Sequence, residues 1–330
     1  MKKLVLSICF ILSVLGLQAQ NRKNVANFSL FQQYYNPALT GYEGSVVKTF
    51  YRNQWTGFED APKTIFASGE LDLADYAAWK KDDQTEDQQD EGDASIGAQH
   101  AIGLAVLHDQ FGPFAESQVF VSYASQVRLS ERTSLRWGTA VTYSSQRLNG
   151  NRLTVDQEND PQYQDVLGNS NRLGKLDINL GLMMTSDKFY IGYAMQDITK
   201  GGVVTTGDTF LKDMYTRKHI IQGGYRTALS EQVGIVVNGI YQYDDQLQET
   251  VEGQLKAVYQ NMLWIGGGYR KDLAYTFTGG VRLNQLTVGY AYEVPTGDAN
   301  SINKNTNEIM LTYNLSRLTF PKSGRSVTIW

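Results

Sequence analysis

The sequence predicts an all-β fold, a transmembrane antiparallel β-barrel of about 14 strands, on three observations. Apolar and polar residues alternate in short segments from Ser45 to Leu315: Leu176, Ile178, Leu180, Leu182 and Met184 point one way in an extended chain, and Lys175, Asp177, Asn179 and Gly181 the other. The connections alternate as well, long then short, as they do in outer-membrane barrels, whose external loops are long and periplasmic turns tight. Beyond residue 19 no apolar run is long enough to span a bilayer as a helix, which excludes helical membrane topology.

In chain order, Lys2 and Lys3 precede an apolar run from Leu4 to Leu17, followed by Gln18, Ala19 and Gln20. This reads as a secretory signal peptide over 1–19, with the mature chain starting at Gln20. The single cysteine, Cys9, lies in that leader behind Ile8 rather than a small residue, so no disulfide, thiol nucleophile or cysteine metal site is expected in the mature protein. Residues 20–44 are expected as a periplasmic N-terminal segment, whose Asn36-Pro37 stretch either ends it in the periplasm or tucks into the lumen. Within it Asn36-Pro37 is a turn signal, because proline fixes its own φ and drives the preceding residue out of the helical region, and Gly41 permits a further bend.

The barrel is expected over 45–316. Its strands fall near 45–55, 63–74, 100–108, 115–128, 134–147, 174–185, 188–197, 217–227, 232–243, 250–259, 262–270, 273–282, 285–294 and 306–315. If the first strand runs outward, the long connections 148–173, 198–216 and 295–305 emerge outside, and those near 130–133, 186–187, 230–232, 260–261 and 283–284 emerge on the periplasmic side. One connection breaks the rule. The acidic insert 76–97, with Asp82, Asp83, Glu86, Asp87, Asp90, Glu91 and Asp93, falls on the side of the tight turns and reads as a solvated loop or an acidic docking element. Its carboxylate spacing does not fit an EF-hand. The tail 317–330 reads as an extension, or as one more strand through Val327, Ile329 and Trp330.

Mean hydropathy is −0.36 with 42% hydrophobic residues, an average that hides an apolar outer face behind alternation. The aromatics expose it. Trp55, Tyr143, Phe189, Tyr241, Tyr259, Tyr269 and Tyr292 fall near strand ends, where membrane barrels carry interfacial girdles. A Tyr-rich soluble sandwich is the competing architecture, and a propeller needs four strands per blade and a repeat the sequence lacks. In lipid, closure is forced, because an unpaired N–H or C=O in hydrocarbon costs several kcal/mol and only a ring has no edges. Leu180 then faces lipid and Asn179 the lumen, so a change at Asn179 is expected to cost far less than a charge at Leu180.

The lumen-facing set, Glu70, Asp72, Arg136, Lys175, Asp177, Glu252, Lys256, Arg270 and Arg282, is mixed in sign. It suits a self-paired plugged interior, or a solute channel or hydrophobic-substrate transporter without strong ion selectivity. Arg52 faces the lumen too, where Glu70 or Asp72 on the neighbouring strand is its expected partner, and Trp55 is placed at the interface. Only His100, His108 and His219 lie beyond the leader. His108 and Asp109 sit near Ser117 and Ser122, but a histidine at a strand end does not make a catalytic base, so no enzymatic role, catalytic residue, metal or cofactor is expected. A net charge of −4 gives no basic footprint for nucleic acid.

Two blocks carry a family resemblance: Tyr34-Tyr35-Asn36-Pro37-Ala38-Leu39-Thr40-Gly41, and Tyr51-Arg52-Asn53-Gln54-Trp55 followed by Pro62, Thr64 and Ser68. Gly103, Leu104 and Ala105 leading to His108, Asp109 and Phe111-Gly112-Pro113, and Glu308, Ile309, Leu311 and Tyr313 at the end, agree with them. The chain thereby resembles the PorP/SprF family of type IX secretion system membrane proteins. The resemblance implies the outer membrane of a Bacteroidota-type bacterium and a non-enzymatic role in protein secretion and gliding motility. Its implied partners are apparatus subunits or a large secreted adhesin with a C-terminal sorting domain. Asn36, Pro37, Ala38, Gly41, Arg52, Asn53, Gln54, Trp55 and Pro62 are the motif residues. Recognition loops on a rigid scaffold make Asp156, Glu158, Asp160 and Tyr163 of the first long loop, and Asp82, Asp87 and Glu91 of the insert, the candidate docking residues.

Overall fold

The computed structural model describes residues 24–82, 99–149, 172–202, 204–206, 216–244, 249–297, 303–315 and 327–329. Fourteen long strands form one closed antiparallel ring. They are β1 (Val46–Asn53), β2 (Lys63–Asp72), β3 (Gln99–Phe111), β4 (Phe114–Arg128), β5 (Thr133–Leu148), β6 (Arg172–Ser186), β7 (Phe189–Gln196), β9 (Lys218–Ala228), β10 (Val233–Asp244), β11 (Thr250–Tyr259), β12 (Leu263–Arg270), β13 (Ala274–Leu283), β14 (Leu286–Pro295) and β15 (Thr306–Asn314). β1 pairs with β15, and β5 with β6, so no long strand has a free edge. The short β8 (Val204–Thr206), which the periodicity does not reveal, pairs with Gly174–Leu176 of β6, above the six residues of β6 that β7 covers.

Lipid outside and packed polar groups inside explain why period two extends over whole strands. Ile178, Leu180, Leu182 and Met184 are exposed on the outer wall, while Lys175, Asp177, Asn179 and Gly181 are buried inside. Exposed rings gather toward both ends. Tyr51, Tyr143, Tyr193, Tyr243, Tyr269 and Tyr275 lie toward the long-loop end, and Trp137, Tyr225, Tyr259 and Tyr313 toward the short-turn end, as interfacial girdles require. Gln260 and Asn261, both at positive φ, and Asn284, at φ 53°, make two of the tight turns.

The insert begins at the short-turn end, though not as a loop. Leu73–Asp82 is a helix. It stops β2 at Asp72, two residues earlier than the pattern suggests, because Asp72 Oδ1 accepts from Ala74 N (2.9 Å) and Asp75 Oδ2 accepts from Ser45 N (2.8 Å).

Of the two places open to the segment before β1, the structure shows the lumen. From residue 24 the segment lies inside the barrel rather than beside it. Val25, Ala26, Phe28, Leu30, Phe31, Tyr35, Ala38 and Leu39 are buried in one cluster with inward-facing Phe50, Phe66, Met183, Tyr190, Trp264 and Met310. The segment contains the helix α1 (Gln32–Tyr35) and a 3₁₀ turn over Pro37–Leu39 capped by Asn36, whose Oδ1 accepts from Ala38 N (3.0 Å). Its composition supplies the reason, since rings interleaved with Asn27, Ser29 and Gln32 find apolar contacts and hydrogen-bond partners together in the packed lumen. The tail adds no strand among the described residues, and Val327 and Ile329 are buried.

Candidate functional site

The site that the fold assembles is the lumenal plug and its receptor. At one wall the plug meets an ionic ladder. Glu308 Oε2 accepts from Ala26 N (3.0 Å) and from Arg52 NH1 (3.2 Å); Arg52 NH2 pairs with Glu293; Glu293 Oε1 lies 3.1 Å from Arg270 NH2; and Arg270 Nε donates to Glu252 Oε2 (2.7 Å). Gln254 Nε2 closes the ladder on the plug by donating to Ala26 O (2.7 Å) and Glu252 Oε1 (2.9 Å). Arg52 therefore does not pair with Glu70 or Asp72. Its register sets it between Thr64 of β2 and Glu308 of β15, so the carboxylates at its height come from the other side.

Deeper in, Lys48 Nζ donates to Leu30 O (3.1 Å) and lies 2.7 Å from Glu43 and 3.6 Å from Glu70. Burial raises the affinity of the Glu43 carboxyl for its proton. The Lys48 ammonium, aided by Arg282 and Arg226, more than offsets this and holds the group below the ordinary carboxylate range. Lys256 Nζ donates to Asn27 Oδ1 (2.6 Å) and Ser29 Oγ (2.5 Å).

The opposite wall receives the Asn-Pro-Ala-Leu-Thr-Gly block. Arg136 donates from Nε to Ala38 O and from NH2 to Thr40 O, both at 2.8 Å, and lies 5.6 Å from the centre of the Tyr42 ring. Glu70 Oε2 accepts from Gly41 N (2.7 Å), with Gly41 in the left-handed region at φ 67°. Gln196 Nε2 donates to Tyr34 O (2.8 Å) and Tyr35 O (3.1 Å). Two glycines make the close approach possible: a Cβ at Gly138 would collide with the Pro37 carbonyl, and one at Gly181 with Asn36 Oδ1.

A second polar cluster fixes the base of the β7–β9 connection. Asp177 accepts from Thr199 N (2.8 Å) and Gly201 N (2.7 Å), Asn179 Oδ1 accepts from Asp197 N (2.9 Å), and Asp197 lies 2.9 Å from Lys175 and 3.4 Å from Lys218. Burial pushes the Asp197 carboxyl up, but the charges of Lys218 and Lys175 prevail and hold it below its ordinary value.

The histidines lie on the outer wall. His108 meets Ser117 Oγ (2.9 Å) there, while Asp109 points inward and accepts from Thr64 Oγ1 (2.5 Å), so the pair does not converge on one site. His100 and His219 meet the hydroxyls of Tyr123 and Tyr193.

With the ring and the filled lumen in place, comparison with known proteins is decisive. The model of the type IX secretion system membrane protein PorP/SprF matches residues 17–313. This chain belongs to the PorP/SprF family. Among curated proteins none matches significantly. Among solved structures, this PorP/SprF chain is similar to the Acinetobacter baumannii outer membrane protein Omp33 (8% identity, TM-score 0.43, 82% of this chain and 98% of that one). It is also similar to a Pseudomonas aeruginosa FadL homologue (6%, TM-score 0.47, 90% and 96%) and to the Ralstonia pickettii toluene transporter TbuX (9%, TM-score 0.44, 85% and 91%). A closed β-barrel of this membrane-protein family is an outer-membrane protein, and in such barrels short turns face the periplasm.

In this PorP/SprF chain the motif blocks separate into two places. Asn36, Pro37, Ala38 and Gly41 form the seated end of the plug. Arg52 belongs to the ladder, whereas Asn53, Gln54, Trp55 and Pro62 build the first outer turn: Gln54 N donates to Pro62 O (2.9 Å), and the Trp55 ring meets Phe58 and Phe111 edge-on at 6.3 and 5.6 Å. Of the candidate docking residues, Asp156, Glu158, Asp160, Tyr163, Asp87 and Glu91 lie outside the described residues, and Asp82 ends the helix with its side chain outside them too. Sequence reasoning missed Glu293 as the central carboxylate of the ladder, and Gly138 and Gly181 as the plug's receptor. The signal for the glycines was present in two inward-phase positions without side chains on adjacent strands.

Proposed function

We propose that this PorP/SprF protein works as a sealed, non-enzymatic scaffold in the outer membrane. It docks either subunits of the type IX apparatus or a sorted surface adhesin with a C-terminal sorting domain, and does not conduct solutes. The observation that carries this reading is the occupation of the lumen by residues 24–45, tied to the wall from Glu308 and Gln254 on one side to Arg136 on the other. An interior committed to its own chain leaves the two mouths as the working surfaces, and loops on a rigid frame are where recognition concentrates. The first long external loop and the acidic periplasmic insert supply residues for it.

The test is co-purification from native membranes with a tagged protein. Secretion subunits or a sorted surface protein are expected to accompany the intact chain. Excising 150–171, or 83–98, is expected to leave a barrel that still migrates heat-modifiably on a gel while partner recovery falls. An intact chain that retrieves neither class of partner overturns the proposal.

A further inference from the structure

The periplasmic mouth holds a small recognition site beside the plug, whose Glu43 shares the charges of Arg226 and Arg282. Thr328 is read at three points. Arg226 NH1 donates to its carbonyl (3.2 Å), Asn261 Oδ1 accepts from its N–H (2.9 Å), and Arg282 NH1 donates to its hydroxyl (3.0 Å). The flanking residues are swallowed: Val327 packs over Gly234 and Val258, where a Cβ on Gly234 would collide with it, and Ile329 is buried in the lumenal cluster.

We infer that this mouth is a binding site for an extended peptide with apolar residues on either side of a small hydroxyl residue, and that the chain's own Val327-Thr328-Ile329 occupies it. Two of the three polar contacts address main-chain atoms, so they would hold any extended segment. The hydroxyl contact and the two apolar seats supply the selectivity, which is how peptides added to β-structure are recognised. The receptor is preorganised. Arg226 is fixed from behind by its Nε bond to Asp187 O (2.9 Å), and Asn261 sits in a tight turn at φ 52°. A periplasmic partner presenting such a segment competes with the tail at this one place. The inference does not rest on the docking role of the external loops or the insert.

The experiment uses the full chain in detergent with the tail ejected by Val327→Asp and Ile329→Asp, its folding checked by heat-modifiable migration. The probe is the labelled peptide Ser-Val-Thr-Ile-Trp, followed by fluorescence anisotropy. The tail-ejected protein is expected to bind it and the unaltered protein to bind little. N-methylation of the threonine nitrogen, which removes the bond to Asn261 without touching the protein, is expected to weaken binding about tenfold. Adding Gly234→Val, which fills the valine seat, should abolish it. Equal binding to the unaltered protein, no binding to a folded tail-ejected protein, or indifference to N-methylation each overturns the inference.

Discussion

Arg52 shows how a single lumenal side chain governs its surroundings. Its guanidinium serves Glu293 and Glu308 together, and both carboxylates are buried. Replacing Arg52 with alanine leaves Glu308 without its cation and Glu293 with Arg270 alone, and breaking a buried pair from one side costs about 3–5 kcal/mol. Removing the pair as a unit, with Arg52→Met and Glu308→Leu, is expected to cost less, because Glu293 keeps Arg270 at 3.1 Å and no carboxylate is abandoned. Denaturant midpoints of heat-modifiable migration measure both variants. A double variant as unstable as the sum of Arg52→Met and Glu308→Leu alone would mean that the ladder is not coupled.

At the scale of the element, the strands were legible because hydrocarbon and a packed interior impose opposite demands on successive residues. Leu180→Arg is expected to cost about 2–4 kcal/mol near the bilayer midplane. Asn179 is not the tolerant control its inward position suggested. It donates to Thr142 Oγ1 (3.0 Å) and accepts from Asp197 N (2.9 Å), so Asn179→Ala leaves buried groups unsatisfied at about 1–3 kcal/mol. Alternation reports which face a residue occupies, but not whether that face is wet. The neighbouring connection has its own pH dependence. Because Asp197 is held below its ordinary value, its contribution is present above about pH 4, the unfolded value, and is lost as pH falls through the lower folded one. Backbone protection at 197–202, measured by hydrogen exchange and corrected for intrinsic rates, is therefore expected to fall on acidification. Asp197→Asn should remove its share of that fall, and an unchanged profile in the variant would deny it the role.

For the molecule as a whole, the barrel could be read from the chain and a filled lumen was one of its open readings, but the fit of the contents could not be read. Residues 24–44 mix Phe28, Phe31 and Tyr35 with Asn27, Ser29 and Gln32 at no fixed period, because their neighbours are dispersed over the ring: Gln254 reaches Ala26 across 228 positions of sequence, and Arg136 reaches Ala38 across 98. No local pattern encodes such a fit, although the empty inward positions Gly138 and Gly181 are its imprint on the wall. The plug gives the whole barrel an electrical signature. A fourteen-strand ring is slightly narrower than the 16- to 18-stranded porins that leave an aqueous channel, and here a buried segment lies across its lumen, so purified protein in planar bilayers is expected to show no large steady conductance. Gly138→Val with Gly181→Val places branched side chains where Pro37 and Asn36 sit and unseats the plug while leaving the lipid face and every strand pairing untouched. That variant is expected to open discrete conducting steps in a barrel that remains heat-modifiable. Steady conduction by the unaltered protein would restore the channel reading and remove the sealed scaffold, whereas silence in both proteins would mean that the lumen stays blocked without the Asn36-Pro37 seat.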